Sequence, residues 1–163
     1  MTHKLRFDDV RHALDMTAPA LRRWLQFKLI GNTAKSKARE GKQLQFTLDD
    51  LAVLALVKVM AEYGVPIAAA YKIAAREVDQ AGPWSGDQTA ESFWSRWAPD
   101  TQIIVSRAED KNGNTVWKIA KFENAEVAYT LGAHLTLYPR ALIRAAIQRG
   151  VESVESRDEK RRA

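Results

Sequence analysis

A capped apolar run in the middle of the chain constrains the fold more than any other sequence feature. Thr47 opens the sequence T-L-D-D, in which a hydroxyl and a carboxylate three residues later can satisfy the free amides of a first helical turn. The next ten residues, LAVLALVKVM, contain a single charge. Because apolar side chains occupy nearly all faces of this predicted helix, we expect it to lie at the centre of the fold.

Two shorter helical patterns precede this run. Phe7, Val10 and Leu14 recur at helical spacing and mark one face of a first helix. Thr17 can cap a second helix, whose first turn tolerates Pro19 because the amide missing there would have no helical partner. The inward-facing positions of the second helix are expected to be Leu21, Trp24, Leu25 and Leu29. Two short helices joined by about three residues form a helix-turn-helix candidate.

A long basic segment, GNTAKSKAREGKQLQF over residues 31–46, separates the second helix from the central one. Its charged side chains are one acid and four bases, Lys35, Lys37, Arg39 and Lys42. Connections beyond about 12–15 residues are uncommon in compact domains and usually serve a function. The closing L-Q-F alternates like one strand of a hairpin with its turn near Glu40–Gly41. We therefore predict a basic, hairpin-like wing.

The positive charge of the chain is concentrated in its first third. Residues 1–47 carry ten basic and four acidic side chains, whereas the remainder carries 15 basic and 16 acidic ones, for a net charge of +5 overall. Such asymmetry favours a polyanionic partner, nucleic acid before membrane. A solvated basic surface is the alternative interpretation of the same charges.

The second half of the chain has a different pattern. A helix over residues 67–81 is expected to end at Gly82–Pro83. Residues 102–122 are typical of a hairpin with its turn at Asn112–Gly113, and residues 127–137 provide a third possible strand. After Pro139, apolar residues return at helical spacing. We predict a small α/β module over residues 82–157, followed by a disordered charged tail over 158–163.

Several residues of the first half stand at the spacing of a known regulator family. They are Leu21–Arg22, Trp24, Lys28–Leu29–Ile30, Phe46, Thr47, Asp50–Leu51 and the turn from Gly64 to Ile67. In these positions the chain resembles the MerR family of DNA-binding regulators. It departs from the family pattern at Arg23, which replaces an aromatic residue, and at Lys42–Gln43–Leu44 in the wing. Gly82–Pro83 also prevents direct continuation into the long dimerisation helix of that family.

The resemblance implies a winged helix-turn-helix over residues 1–81 and an α+β protein overall. It implies a sequence-specific transcription regulator of double-stranded DNA, with the second helix, about residues 17–30, in the major groove and the wing on phosphates. The expected DNA contacts are Thr17, Arg22, Arg23, Gln26, Lys28, Lys35, Lys37, Arg39 and Lys42. Arginine suits guanine edges and basic side chains neutralise phosphates, but the sequence does not decide whether Arg23 reads a base.

Two other functions fit the same features. The first is an architectural DNA binder of phage type, such as an excisionase or a small DNA-packaging subunit, since MerR-like winged helices occur there too. The second is a protein-interaction adaptor whose basic face meets an acidic partner.

Four aromatic residues follow the fourth helix: Trp84, Phe93, Trp94 and Trp97. They could cover the C-terminal sheet, form an interface or line a ligand pocket, and packing is the default for such large apolar side chains. DNA readers of this size commonly dimerise to span two half-sites. We therefore predict a homodimer formed through Trp94, Trp97, Leu142, Ile143, Ala146 and Ile147.

Enzymatic and metal-dependent functions find little support. The absence of cysteine excludes disulfides, thiol catalysis and cysteine-based zinc sites. The three histidines, His3, His12 and His134, are too scattered to indicate a metal site. No phosphate-binding loop or nucleophile elbow is present. We expect no enzymatic activity, catalytic residue, metal or cofactor, no signal peptide and no membrane segment, and hence a cytoplasmic protein; an effector cannot be inferred.

Overall fold

The structure, a computed structural model, describes residues 5–26, 45–82, 90–98, 101–122 and 134–162. In chain order the elements are β1 (Leu5–Arg6), α1 (Phe7–Ala13), α2 (Ala18–Gln26), β2 (Gln45–Phe46), α3 (Leu48–Glu62), α4 (Ile67–Gln80), α5 (Ala90–Trp94), β3 (Gln102–Glu109), β4 (Thr115–Phe122), β5 (His134–Leu137) and α6 (Pro139–Arg162). Six helices with a two-stranded and a three-stranded antiparallel sheet in the described ranges make this an α+β protein.

The helix α3 lies at the centre of the fold, as its composition predicts. Thr47 Oγ1 accepts the Asp50 amide at 3.1 Å, and Asp50 Oδ2 accepts the Thr47 amide at 2.8 Å, which completes the predicted capping box. Every side chain from position 51 to position 57 is buried. Both α4 and α6 pack against α3. Gly64, at a φ of +84°, ends the helix in the left-handed conformation that glycine adopts without strain.

The small sheet β1–β2 brings the starts of α1 and α3 together. Leu5 pairs with Phe46, and both side chains are buried. This pairing returns the chain to the start of α1 after the segment in which the wing is predicted. Residues 31–44 of the predicted wing, with its hairpin turn near Glu40–Gly41, lie outside the described residues, and the wing stays a prediction.

The second sheet has the strand order β4–β3–β5. The hairpin β3–β4 turns where the sequence predicts, with Gly113 at a φ of +78°. On the other side of β3, Ile103 pairs with Leu137 of β5, which contains the last four residues of the third predicted strand. Residues 127–133 of that prediction lie outside the described residues. Ile103, Val105 and Leu137 are buried in the main core, which attaches this sheet to the helices.

The C-terminal helix α6 belongs to the second predicted domain but packs against helices of the first, residues 1–81. It packs against α1 and α3, and also against α5. One cluster of buried side chains contains Val10 and Leu51 from the first part and Ile143 from the second. The division into two domains stays a prediction, with the core running across it. The prediction of a disordered tail is wrong for residues 158–162, which continue α6.

The side chains predicted to form a dimer interface lie mostly inside the core of the single chain. Five are at most 8% exposed, namely Trp94, Trp97, Ile143, Ala146 and Ile147, and Leu142 is half-buried. This assignment is corrected, because an apolar face already covered within one chain cannot also bury itself against a second copy. The described aromatic residues thus take the packing alternative, while Trp84 lies outside the described residues. Homodimerisation itself stays a prediction.

Candidate nucleic-acid interface

A tight turn connects α1 to α2 and sets the orientation of the second helix. Asp15 has a φ of +49°, a conformation that aspartate tolerates better than most residues. The Met16 amide donates to the Arg11 carbonyl at 3.0 Å across this turn, which satisfies the end of α1. Thr17 then starts α2, and its carbonyl accepts the Leu21 amide at 3.1 Å. The predicted helix-turn-helix is therefore present in the described residues.

The helix α2 has an apolar inner face and a basic outer face. Leu21 is fully buried, and Trp24 and Leu25 are half-buried against the core, as the sequence predicts. Arg22 and Arg23 are exposed. Neighbouring residues on a helix diverge by about 100°, so the two guanidinium groups leave α2 in different directions.

The aromatic ring of Phe7 supports Arg22 from the neighbouring helix. The guanidinium carbon of Arg22 lies 5.5 Å from the ring centroid, within the range of about 6 Å over which a cation is attracted to a ring face. Phe7 is the first residue of α1 and is itself packed against the core. This contact therefore links Arg22 to the first turn of α1. No sequence signal indicates this contact, because the two residues belong to different helices.

A buried carboxylate holds that first turn in place. Asp9 is 3% exposed and its Oδ2 accepts the Arg6 amide at 2.8 Å, which caps α1. Ser153 Oγ donates to Asp9 Oδ1 at 3.0 Å, and Arg157 Nη1 donates to Asp9 Oδ2. Burying a carboxylate is unfavourable unless it is paired and hydrogen-bonded, and these donors from α6 meet that requirement. The sequence indicates only the local cap; the partners more than 140 residues away carry no signal.

Of the nine residues predicted to contact DNA, the structure describes those on α2. Thr17 is exposed at the start of the helix, where its Oγ1 accepts the Ala20 amide at 3.4 Å. Gln26 is the last residue of the helix. Arg22 and Arg23 thus lie on α2 and Thr17 directly precedes it, and all three residues are exposed. The remaining five lie outside the described residues, namely Lys28, Lys35, Lys37, Arg39 and Lys42.

The helical arrangement agrees with a comparison against protein families. Residues 5–77 match the family model described as MerR HTH family regulatory protein. This MerR-like segment comprises 73 of the 163 residues. It contains α1, α2, α3 and most of α4, and it confirms the resemblance seen in the sequence. No curated protein matches the chain. The MerR family consists of DNA-binding regulators, so the second helix of the MerR-like segment, which carries the exposed arginines, is the candidate interface.

Among the described residues, no group of three or more histidine, aspartate or glutamate side chains is arranged to hold a metal ion. Across the described helices, none combines the length and the apolar character that a membrane crossing requires.

Proposed function

We propose that this protein is a sequence-specific transcription regulator that binds duplex DNA through its MerR-like segment. In this proposal α2 enters the major groove, where Arg22 and Arg23 meet base edges and phosphates. The basic segment 31–46 acts as a wing along the phosphate backbone. The observation that carries the proposal is the MerR-family match over residues 5–77, combined with two exposed arginines on the second helix of that segment.

The chemistry of the exposed face supports this role. Arginine forms paired hydrogen bonds to guanine O6 and N7 in the major groove, and it also neutralises phosphates. The Phe7 ring beneath Arg22 restricts the guanidinium before binding, which lowers the conformational entropy lost on contact with DNA. The excess of six positive charges in residues 1–47 adds a long-range attraction for a polyanion.

The test is fluorescence anisotropy of a labelled generic duplex over a salt series, followed by selection of a preferred sequence. The double variant Arg22→Ala/Arg23→Ala is compared with Arg107→Ala/Arg149→Ala, which removes the same charge from exposed positions outside the MerR-like segment. We expect the first variant to weaken binding more than the control and to lower the steepness of the salt dependence. Equal affinities would contradict the assignment of α2, and no binding by the folded wild type would contradict DNA binding altogether.

Single changes separate base reading from phosphate contact. If Arg23 reads a base, Arg23→Ala should relax the selected sequence, whereas Lys35→Ala in the wing should weaken all sequences about equally. If both arginine variants kept the sequence preference of the wild type, the result would favour an architectural binder. Strong bending of the duplex without an effect on transcription would favour the same alternative, and an adaptor would show no duplex affinity.

A homodimer belongs to the proposal because two half-sites one helical turn apart require two reading helices. Its interface must lie away from the buried faces of Ile143, Ala146 and Ile147. Sedimentation of the free protein and of its complex with a selected site gives the stoichiometry. One protomer per selected site would contradict dimeric recognition while leaving DNA binding intact.

A further inference from the structure

The C-terminal helix α6 contacts the MerR-like segment through a charged pair. Arg157 of α6 donates to Asp9 of α1, and the two residues are 148 positions apart in the chain. The Asp9 side chain is 4% exposed and that of Arg157 is 24% exposed, so the pair is largely shielded from water. Ser153, one turn earlier on α6, donates to the other carboxylate oxygen at 3.0 Å. Both oxygens of Asp9 are therefore held from the same helix.

The carboxylate that Arg157 holds belongs to the same turn of α1 as Phe7. Asp9 caps this turn by accepting the Arg6 amide, and Phe7 begins it. The Phe7 ring in turn faces the Arg22 guanidinium of α2 at 5.5 Å. A shift in the first turn of α1 would therefore move the surface against which Arg22 rests.

We propose that Arg157 is a positioning residue for DNA recognition. By holding Asp9 it fixes the first turn of α1 and, through Phe7, the direction of Arg22. Arg157 acts through Asp9 and does not itself touch DNA. This inference rests on the proposed function and extends the DNA-binding unit to α6, which lies outside the residues matched by the family model.

The experiment compares Arg157→Ala with Arg149→Ala in the full chain. Arg149 is an exposed arginine on the same helix, so the control removes an equal charge. We expect Arg157→Ala to bind the selected duplex about three- to thirtyfold more weakly than the control, the range typical of residues that modulate binding from a distance. The variant Arg157→Lys, which keeps a cation within reach of Asp9, should recover most of that affinity. Equal affinities of the two alanine variants would overturn the inference.

A double-mutant cycle with Asp9→Asn separates positioning from direct contact. Asparagine keeps an oxygen to cap α1 but loses the charge that Arg157 holds. If Arg157 acts through Asp9, adding Arg157→Ala to Asp9→Asn should change the affinity little. Independent, additive losses would overturn the inference, because Arg157 would then act on DNA by its own route.

Hydrogen exchange without DNA tests the first step by itself. Amides of α1 should exchange faster in Arg157→Ala than in Arg149→Ala, with thermal unfolding confirming that both variants are folded at the assay temperature. Equal exchange would overturn the inference even if affinities differed. Failure of the wild type to bind any duplex would overturn the proposed function and the recognition role with it, whereas equal binding by the variants would overturn the role of Arg157 alone.

Discussion

Gly150 of α6 lies directly against Leu51 of α3. A β-carbon added at Gly150 would come within 3.0 Å of Leu51 Cδ2, and the side chains of Ala13 and Leu5 would each lie 3.6 Å from it. Glycine inside a helix is less favourable than alanine by about 0.5–1 kcal/mol. The close approach of α6 to the MerR-like segment explains why the helix accommodates glycine here.

Gly150→Val should destabilise the protein by about 2–3 kcal/mol, because added methyl groups would overpack the contact with Leu51. The control is Arg149→Val, which introduces the same β-branched side chain at the exposed neighbouring position. It should cost only about 0.5 kcal/mol through helix propensity. Urea unfolding of both variants measures the difference. Equal losses would show that α6 does not approach α3 closely at this position.

Arg96 connects three helices. Its removal should lower the free energy of unfolding by about 2–3 kcal/mol, because two short charge-assisted hydrogen bonds and a ring contact would be lost. Its guanidinium donates to Asp49 Oδ1 at 2.6 Å and to the Gly82 carbonyl at 2.7 Å, and it lies 4.1 Å from the Phe93 ring centroid. The side chain is only 8% exposed. Thermal and urea unfolding of Arg96→Ala measures the loss.

The matched variants for this site are Arg96→Lys and Arg107→Ala. Lysine keeps the charge but not the planar fork or the stacking, so Arg96→Lys should recover only part of the stability. Arg107 is exposed, and its replacement should stay within about 0.5 kcal/mol of the wild type. Full recovery in Arg96→Lys would indicate that charge alone, and not the fork, holds the three helices.

The hydroxyl of Thr47 should contribute about 1 kcal/mol through the cap of α3. It accepts the Asp50 amide at 3.1 Å and donates to Asp50 Oδ2 at 2.9 Å. We expect Thr47→Ala to lose this stability in urea unfolding and Thr47→Ser, which keeps the hydroxyl, to remain close to the wild type. A loss of the same size in both variants would assign the effect to the methyl group.

Hydrogen bonds in the β3–β4 turn lower the pKa of Asp110 below its usual value of 3.8. The causes are the Asn114 amide, the Asn114 side chain and the Asn112 amide, in that order. Because the unfolded chain takes up the proton first, the stability from this carboxylate is present above pH 3.8 and is lost as the pH falls through the lowered pKa. An NMR titration should show the Asp110 midpoint below 3.8.

Two asparagine variants test the cause of this lowered pKa. Asn114→Ala removes the side-chain donor and should raise the Asp110 midpoint towards its usual value. Asn112→Ala keeps the only donor that this residue supplies, its backbone amide, and should leave the midpoint unchanged. Unchanged midpoints in both variants would assign the lowered pKa to the backbone alone.

Elements with a local signal could be predicted from the sequence. The cap at Thr47, the glycine turn at Gly64 and the hairpin at Asn112–Gly113 depend on residues within a few positions of each other, so propensity and hydrogen bonding are readable in order along the chain. The basic outer face of α2 follows in the same way from helical periodicity. For the site, this was enough to select Arg22 and Arg23 as exposed on one helix.

The sequence-based predictions that proved wrong concerned tertiary packing, above all which surface covers an apolar helix face. The stripe of Ile143, Ala146 and Ile147 has the same periodicity whether it packs within one chain or against a second copy. The tertiary structure places it in the core with α3 and α5. The same limitation produced the disordered tail, because residues 158–162 have the mixed charge of a frayed end yet continue α6.

The sequence by itself determined the central helix, the helix-turn-helix, the MerR resemblance and the location of the positive charge, because each depends on spacing or composition within a short segment. Only the tertiary structure decided that Asp9 is paired with Arg157, that Phe7 faces Arg22, and that Gly150 touches Leu51. The physical reason is that such contacts join distant residues whose energies arise only after the elements pack. No local propensity specifies in advance which buried charge will meet which partner.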